Sequence, residues 1–227
     1  MQSSLIKIEN LSLSFPDHHV LNNLSLDIKK GEFLAVIGEN GVGKTTLVRI
    51  LLKQLRPSSG KIIMPDDLRI GYVPQFRNID VDYPLSVRDF VSLSFTGFKF
   101  PWLSKTEKKR LNEVISEVKL NNIEKRPLGL ASGGEKQKAY LASALVKHPQ
   151  LLILDESTAS WDPKTKHELL DVVVDINKKF SVTILFVSHD LKLVSEYPDH
   201  YLWLQKGNYE SGKISDLPRD VKEGINV

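Results

Sequence analysis

The stretch Gly38-Glu39-Asn40-Gly41-Val42-Gly43-Lys44-Thr45 decides the fold of this 227-residue chain. It matches the pattern G-x-x-x-x-G-K-[ST], in which glycines let successive backbone N–H groups converge on a polyphosphate. The apolar run Phe33–Ile37 before it predicts a buried strand, and a helix is expected from about Lys44 to Leu55. A glycine-rich turn with a solvated lysine is the alternative, but a strand before the loop and a helix after it favour a phosphate site.

Several residues of this loop are expected to contact the phosphates directly. Lys44 reaches the β- and γ-phosphates, and the Thr45 hydroxyl binds Mg²⁺. The helix that follows adds the positive end of its dipole. The other residues expected to line the phosphates are Gly38, Asn40, Gly41, Gly43 and Thr46. The loop therefore predicts a site for a polyphosphate with a magnesium ion.

Two further apolar runs end in polar side chains. In the run Leu151–Glu156 (LLILDE), Asp155 is expected to hold Mg²⁺ and Glu156 to polarise an attacking water. Alone this is weak evidence, because acidic residues commonly end strands. His189 follows a second run, Val182–Val187, which we place beside the first in the sheet. A solvated surface histidine is the alternative there, but the position favours a hydrogen bond to the γ-phosphate.

The order of segments predicts an α/β protein with one inserted helical part. Short alternating segments near the N-terminus (LIKIEN, LSLSF and LSLDI) predict antiparallel strands, and later strands alternate with helices, which favours a mostly parallel sheet. Ser86–Phe95 and Ser104–Leu120 are expected to be helices without a core strand between them, the second with a Ser104–Glu107 capping box. We therefore predict one domain over residues 1–227, with a core of 1–74 and 148–227 and a helical subdomain of 75–147.

Composition excludes several classes of function. With no cysteine, disulfides, thiolate metal sites and cysteine nucleophiles are absent. A formal charge of +3 gives no reason to expect nucleic acid as the main partner. The first residues do not read as a secretory signal, and no apolar stretch approaches the roughly 20 residues that cross a bilayer. We expect any membrane role to be that of a soluble partner.

The segment Leu130–Gln137 (LASGGEKQ) makes the chain closely resemble ABC ATPases. Ala131–Glu135 occupies the frame of their L-S-G-G-Q signature. The other family motifs occur in the family's order: phosphate loop, glutamine loop at Gln75, signature, Walker B at Leu151–Glu156, D-loop at Ser160–Asp162 and switch histidine His189. The resemblance implies an α/β fold with a P-loop NTPase core, a mostly parallel sheet, an antiparallel N-terminal β subdomain and an inserted helical subdomain. It also implies that the chain binds and hydrolyses ATP.

The signature has both a general and a family interpretation. Ser132-Gly133-Gly134 opens a helix expected to run to about Lys147, and a simple helix cap is the plainer interpretation. The resemblance implies instead that Ser132, Gly133 and Gly134 contact the γ-phosphate of ATP held by a second copy, which makes a head-to-tail homodimer.

The resemblance likewise places Gln75 at Mg²⁺ and the nucleotide, Asp162 at the nucleotide and Phe15 under the adenine. For Phe15 a place in the strand's core is equally compatible. Four residues depart from the family pattern: Ala131, Glu135, Ser157 and Trp161. None of these departures removes a group assigned to phosphate chemistry.

Gly60–Gln75, ending in LRIGYVPQ, resembles the zinc- and manganese-uptake branch of ABC importers. That branch implies permease subunits in the membrane, a substrate-binding protein, and a cytoplasmic chain held on the inner face of the membrane. The transported ion would meet those partners and not this chain. A soluble ABC ATPase of iron–sulfur cluster assembly or repair is the alternative. The segment around Gln75 and the absence of large insertions favour transport.

The segment from about Gln75 to Trp102 is predicted to dock a cytoplasmic helix of the membrane partner. From Phe76 to Trp102 it holds seven aromatic residues in 27 positions, against about two expected from the chain average of 8%. Some of these rings must pack in the subdomain's own core, and the remainder should leave an exposed apolar patch. The seven are Phe76, Tyr83, Phe90, Phe95, Phe98, Phe100 and Trp102.

Overall fold

The computed structural model describes residues 3–16, 18–74, 80–95, 102–155 and 163–218, and for His18 the backbone alone. Within these ranges the chain forms two β-sheets and a set of helices that cover them.

A three-stranded antiparallel sheet lies at the N-terminal part of the chain. Its strands are β1 (Ser4–Phe15), β2 (His18–Lys29) and β4 (Ser59–Ile63), in the order β2-β1-β4. The predicted antiparallel strands are confirmed, but they join into two strands of 12 residues each. Register shifts along β1, for example between Ile8 and Leu11, keep such long strands paired while they bend.

A six-stranded sheet forms the centre of the molecule. Its strands are β3 (Phe33–Ile37), β5 (Ile70–Val73), β6 (Leu151–Asp155), β7 (Thr183–Val187), β8 (His200–Gln205) and β9 (Asn208–Lys213). The order is β5-β6-β7-β3-β8-β9, and every pair is parallel except β8 with β9. The prediction that β7 lies beside β6 is confirmed. Since parallel strands point the same way, the residues that follow β3, β6 and β7 meet at one edge of the sheet.

Six α-helices are described: α1 (Lys44–Leu51), α2 (Val87–Ser92), α3 (Lys105–Glu117), α4 (Gly133–Leu145), α5 (Pro163–Phe180) and α6 (Leu191–Glu196). The predicted Ser104–Glu107 capping box at the start of α3 is present. Both faces of the central strands are apolar, because each face has its own cover. Phe33, Ala35 and Ile37 pack with the buried sides of α3, α4 and α5. Leu34 and Val36 pack with α1 and the three-stranded sheet.

The helices between the glutamine loop and β6 pack on one another, α4 against both α2 and α3, and α4 also contacts β5 and α5. The boundaries of a helical subdomain at 75 and 147 stay a prediction. Of the helices in the described ranges, none combines the length and the apolarity that crossing a bilayer requires.

Candidate functional site

The phosphate loop adopts a backbone conformation that depends on its glycines. Gly38, Gly41 and Gly43 have φ angles of 142°, 81° and 112°, which residues with a Cβ rarely adopt. A Cβ on Gly38 would lie 2.3 Å from the carbonyl oxygen of Leu204, so this glycine is also required by close packing. At Gly41, apart from its two chain neighbours, no atom of the described residues lies within 4 Å of such a Cβ, so the described part of the chain leaves that side of the loop open. The predicted strand–loop–helix context is confirmed.

Lys44 is the first residue of α1 and is only 5% exposed. Its Nζ donates to the carbonyl oxygens of Gly38 and Glu39, at 2.7 and 2.9 Å. The loop therefore curls around its own ammonium group. A phosphate oxygen that enters the loop would find a positive charge already positioned there, at the N-terminus of a helix.

The other predicted groups of the core meet this loop at the same edge of the sheet. β7 pairs with β3 on one side and with β6 on the other, and Val187 lies opposite both Val36 and Asp155. Asp155 ends β6 and is 5% exposed. His189 follows β7 and is exposed. The fold thus places side by side the strand that leads into the phosphate loop (β3), the strand that ends in Asp155 (β6) and the strand that precedes His189 (β7), as predicted. The role of Lys44, Asp155 and His189 in binding stays a prediction.

A tyrosine that the motifs did not reveal also reaches this site. The Tyr72 hydroxyl on β5 donates to Oδ2 of Asp155 at 3.0 Å. The sequence signal was slight, since it consisted of a tyrosine three residues before Gln75. Predicting the contact would also have required knowing that β5 lies beside β6.

The residue after His189 is held by the start of α5. Lys166 Nζ donates to Oδ2 of Asp190 at 2.8 Å, and the Asp190 backbone N–H donates to Oγ of Ser188. Burial alone would raise the pKa of the Asp190 carboxyl, but Lys166 and the backbone N–H groups of Leu193 and Lys192 together outweigh it and hold that pKa below its ordinary value. These bonds fix the chain on both sides of His189.

The signature segment opens α4 with a complete capping box. Ser132 Oγ accepts from the Glu135 backbone N–H at 3.3 Å, and a Glu135 carboxylate oxygen accepts from the Ser132 backbone N–H at 2.7 Å. The departure from glutamine to Glu135 therefore keeps the helix start intact, and its second oxygen lies 3.4 Å from the Arg126 guanidinium. Ala131, another departure, is buried. A Cβ on Gly134 would lie 2.5 Å from Thr165 on α5, so this glycine permits close packing of the two helices.

α4 packs against α2, α3, β5 and α5, and none of these elements contains the phosphate loop. Ser132 and Gly133 are exposed at its start. The same arrangement is expected if these residues serve the nucleotide of a second copy.

The remaining predicted residues are only partly visible. Gln75, Glu156 and Asp162 lie outside the described residues, as do the departures Ser157 and Trp161. Phe15 ends β1 and is 44% exposed, so the alternative that it belongs to the core is wrong; its stacking role stays a prediction. Asn40 and Thr45 are exposed, and Thr46 is half-buried.

A glycine loop between a buried parallel strand and a helix, with a carboxylate at the end of a nearby strand, defines a nucleoside-triphosphate-binding protein of the P-loop class. Such an arrangement can bind the phosphates through backbone N–H groups and Lys44. The Asp155 carboxylate and the Thr45 hydroxyl supply the hard oxygen atoms that Mg²⁺ prefers.

Comparisons with known proteins identify the family. The family profile described as ABC transporter matches residues 21–159. The zinc import ATP-binding protein ZnuC of Hydrogenovibrio crunogenus is 37% identical over 96% of this chain and 84% of its own length. Among solved structures, cbiO1 of Clostridium perfringens, part of the ABC transporter complex cbiONQ, superposes with a TM-score of 0.85. It is 30% identical, and the alignment covers 98% of this chain and 93% of that one.

A more distant cassette, MJ0796, shares the fold with a TM-score of 0.75 at 22% identity, over 92% of this chain and 99% of that one. It was solved as a dimer bound to ADP and Pi.

The chain belongs to the ABC transporter family. It is an ATP-binding subunit of that family and an ATPase.

Proposed function

We propose that ATP hydrolysis by this chain, assembled as a homodimer, energises zinc uptake through permease subunits in the membrane. The observation that carries the zinc assignment is the 37% identity with a zinc import ATP-binding protein over 84% of that protein's length. The LRIGYVPQ segment, which resembles the metal-uptake branch, agrees with it. The alternative role in iron–sulfur cluster assembly or repair gains no support from these relatives.

The proposed reaction uses the predicted site residues of this chain and of a second copy. Lys44 and the loop N–H groups bind the β- and γ-phosphates, and His189 donates to the γ-phosphate. Glu156 orients the attacking water and accepts its proton. Asp155, Thr45 and Gln75 would hold Mg²⁺, which would offset the phosphate charge when bound. Ser132, Gly133 and Gly134 of a second copy complete each site, so that two ATP molecules lie between two chains.

The zinc assignment is tested in the organism from which the chain comes. Deleting its gene should remove most uptake of radioactive zinc under zinc limitation, because the permease has no other source of ATP energy. Wild-type chain should restore uptake, and a Lys44→Ala variant should not. Manganese uptake measured in the same cells is the control. Normal zinc uptake with lost manganese uptake would contradict the zinc assignment and leave the ATPase assignment intact.

We also propose that the segment before α3 docks the permease, with the chain held on the cytoplasmic face of the membrane. Of the seven aromatic residues in this segment, Tyr83, Phe90 and Phe95 pack against the core, and Phe90 makes an edge-to-face contact with Tyr140 at 5.1 Å. Phe76, Phe98 and Phe100 lie outside the described residues. Trp102 is 74% exposed, and Leu93 is 66% exposed. Two large apolar side chains that are exposed to this degree and lie within ten residues of each other in the chain favour a partner surface.

Charged substitutions test this docking surface. A Leu93→Glu, Trp102→Glu double variant should fail to co-purify with the permease and should abolish transport, because a docked interface would bury two carboxylates without partners. The free subunit should still bind ATP. Phe180→Glu, which changes an exposed aromatic residue at the end of α5, is the matched control and should assemble normally. If the double variant also assembles normally, the docking surface lies elsewhere. Phe95 is not suited to such a change, because its partly buried ring packs against the core.

A further inference from the structure

The Tyr72–Asp155 contact follows from the register of two parallel strands. β5 and β6 pair with Tyr72 opposite Ile153, so Tyr72, Ile153 and Asp155 point to the same face of the sheet. Asp155 lies two residues beyond Ile153, a rise of about 7 Å along the strand. A tyrosine side chain spans that distance, and its hydroxyl reaches Oδ2 of Asp155 at 3.0 Å.

This face of the sheet is the one that carries the phosphate-binding helix. Tyr72 and Ile153 belong to the apolar cluster that includes Leu47 and Val48 of α1. Val73 and Leu154, their neighbours in the chain, belong to the cluster on the opposite face. The Tyr72 ring is therefore packed in the layer beneath α1, and only its polar end approaches the site.

We infer that Tyr72 is a positioning residue for the magnesium-binding carboxylate of this ATPase. Asp155 is the last residue of β6 and is 5% exposed. A hydrogen bond from a ring fixed by packing selects one orientation of the carboxylate before the ion arrives. Groups that orient a metal ligand in this way commonly affect metal affinity, although they never touch the ion. The inference rests on the proposed role of Asp155.

The same contact connects the two motifs that flank the site. Tyr72 lies three residues before Gln75, the start of the segment that leads to α2, whereas Asp155 directly precedes Glu156. A bond between them makes the position of the Asp155 carboxylate depend on the position of the strand that enters the glutamine loop. A purely structural role is the competing explanation, since a half-buried phenol needs some acceptor for its proton.

The Tyr72→Phe variant separates these explanations, because it removes one oxygen and keeps the ring. ATP affinity is measured by calorimetry with and without Mg²⁺, and the Mg²⁺ concentration for half-maximal ATPase activity is measured alongside. We expect affinity without Mg²⁺ to be unchanged, the Mg²⁺-dependent gain in affinity to shrink, and the half-maximal Mg²⁺ concentration to rise about tenfold, the lower end for groups that orient metal ligands.

Tyr209→Phe is the matched control. The Tyr209 hydroxyl accepts from the Ser25 backbone N–H between β9 and β2, so its loss should leave every Mg²⁺ measurement at the wild-type value. Wild-type Mg²⁺ dependence in Tyr72→Phe would overturn the inference and leave the ATPase assignment standing. An equal loss of ATP affinity with and without Mg²⁺ would show that Tyr72 has a purely structural role, and this result would also overturn the inference. If the affinity of the wild-type chain for ATP did not respond to Mg²⁺, the proposed role of Asp155 would be contradicted. The inference about Tyr72, which rests on that role, would then be contradicted too.

Discussion

Replacing Lys44 with alanine should reduce ATP affinity by at least about a hundredfold, because it removes charge-assisted hydrogen bonds worth about 1.5–3 kcal/mol each. The side chain is nearly buried, and the carbonyl oxygens of Gly38 and Glu39 already hold its ammonium group. Its side chain therefore loses little freedom when phosphate oxygens approach. The positive charge is also the group in the loop best placed to offset the charge of the β- and γ-phosphates.

Calorimetry of ATP binding measures this loss. Arg49→Ala is the control, because Arg49 is a basic residue on the same helix and is exposed. It should bind ATP like the wild-type chain. The substitution removes the Lys44 ammonium group that donates to the carbonyl oxygens of Gly38 and Glu39. Thermal unfolding without nucleotide therefore checks that Lys44→Ala remains folded. A folded Lys44→Ala variant whose ATP affinity lies within about threefold of wild type would refute the phosphate-loop assignment.

The Glu156→Gln variant should bind ATP normally and lose nearly all turnover. The amide keeps the shape of the carboxylate but is a poor acceptor for the proton of the attacking water, and a positioned base contributes about 10² to 10⁴ in rate. Steady-state phosphate release measures the loss. Glu113→Gln, on the exposed side of α3, should hydrolyse ATP at the wild-type rate. A Glu156→Gln rate above about a tenth of wild type, a barrier increase of less than about 1.4 kcal/mol, would show that Glu156 is not the catalytic base.

The local features of the fold were predictable from sequence because each depends on residues close together in the chain. The phosphate loop has a buried strand before it and a helix after it, and the capping box at Ser104 requires only Glu107 three residues later. Strand order was predictable where two motifs of one site had to meet, as for β6 and β7.

Helix ends were predicted less well, and the cause is specific. α1, α3 and α4 end earlier than predicted, at Leu51, Glu117 and Leu145. A residue with left-handed backbone follows each of them within three positions, and none is the glycine that normally marks a helix end. These residues are Lys53, Lys119 and His148, with φ angles of 58°, 59° and 50°. A lysine or histidine in a sequence gives no signal for this conformation.

The site contact with Tyr72 was beyond sequence reasoning for a different reason. Tyr72 and Asp155 are far apart in the chain, and their hydrogen bond depends on both the pairing and the register of β5 with β6. A slip of one residue would place the two side chains on opposite faces of the sheet. The effect of the Glu135 departure was likewise unpredictable, because Arg126 lies close to it only when the turn before α4 is folded.

Light scattering of the Glu156→Gln variant tests the central claim, that each ATP is bound between two copies of the chain. α4 packs on α2, α3, β5 and α5, none of which carries the phosphate loop, so we expect that one chain alone does not complete a site. Without nucleotide we expect the mass of one chain, 25.7 kDa. With saturating ATP and Mg²⁺ we expect twice that mass, because the uncleaved γ-phosphate holds the two copies together. A single-chain mass under conditions where calorimetry shows ATP to be bound would contradict the account.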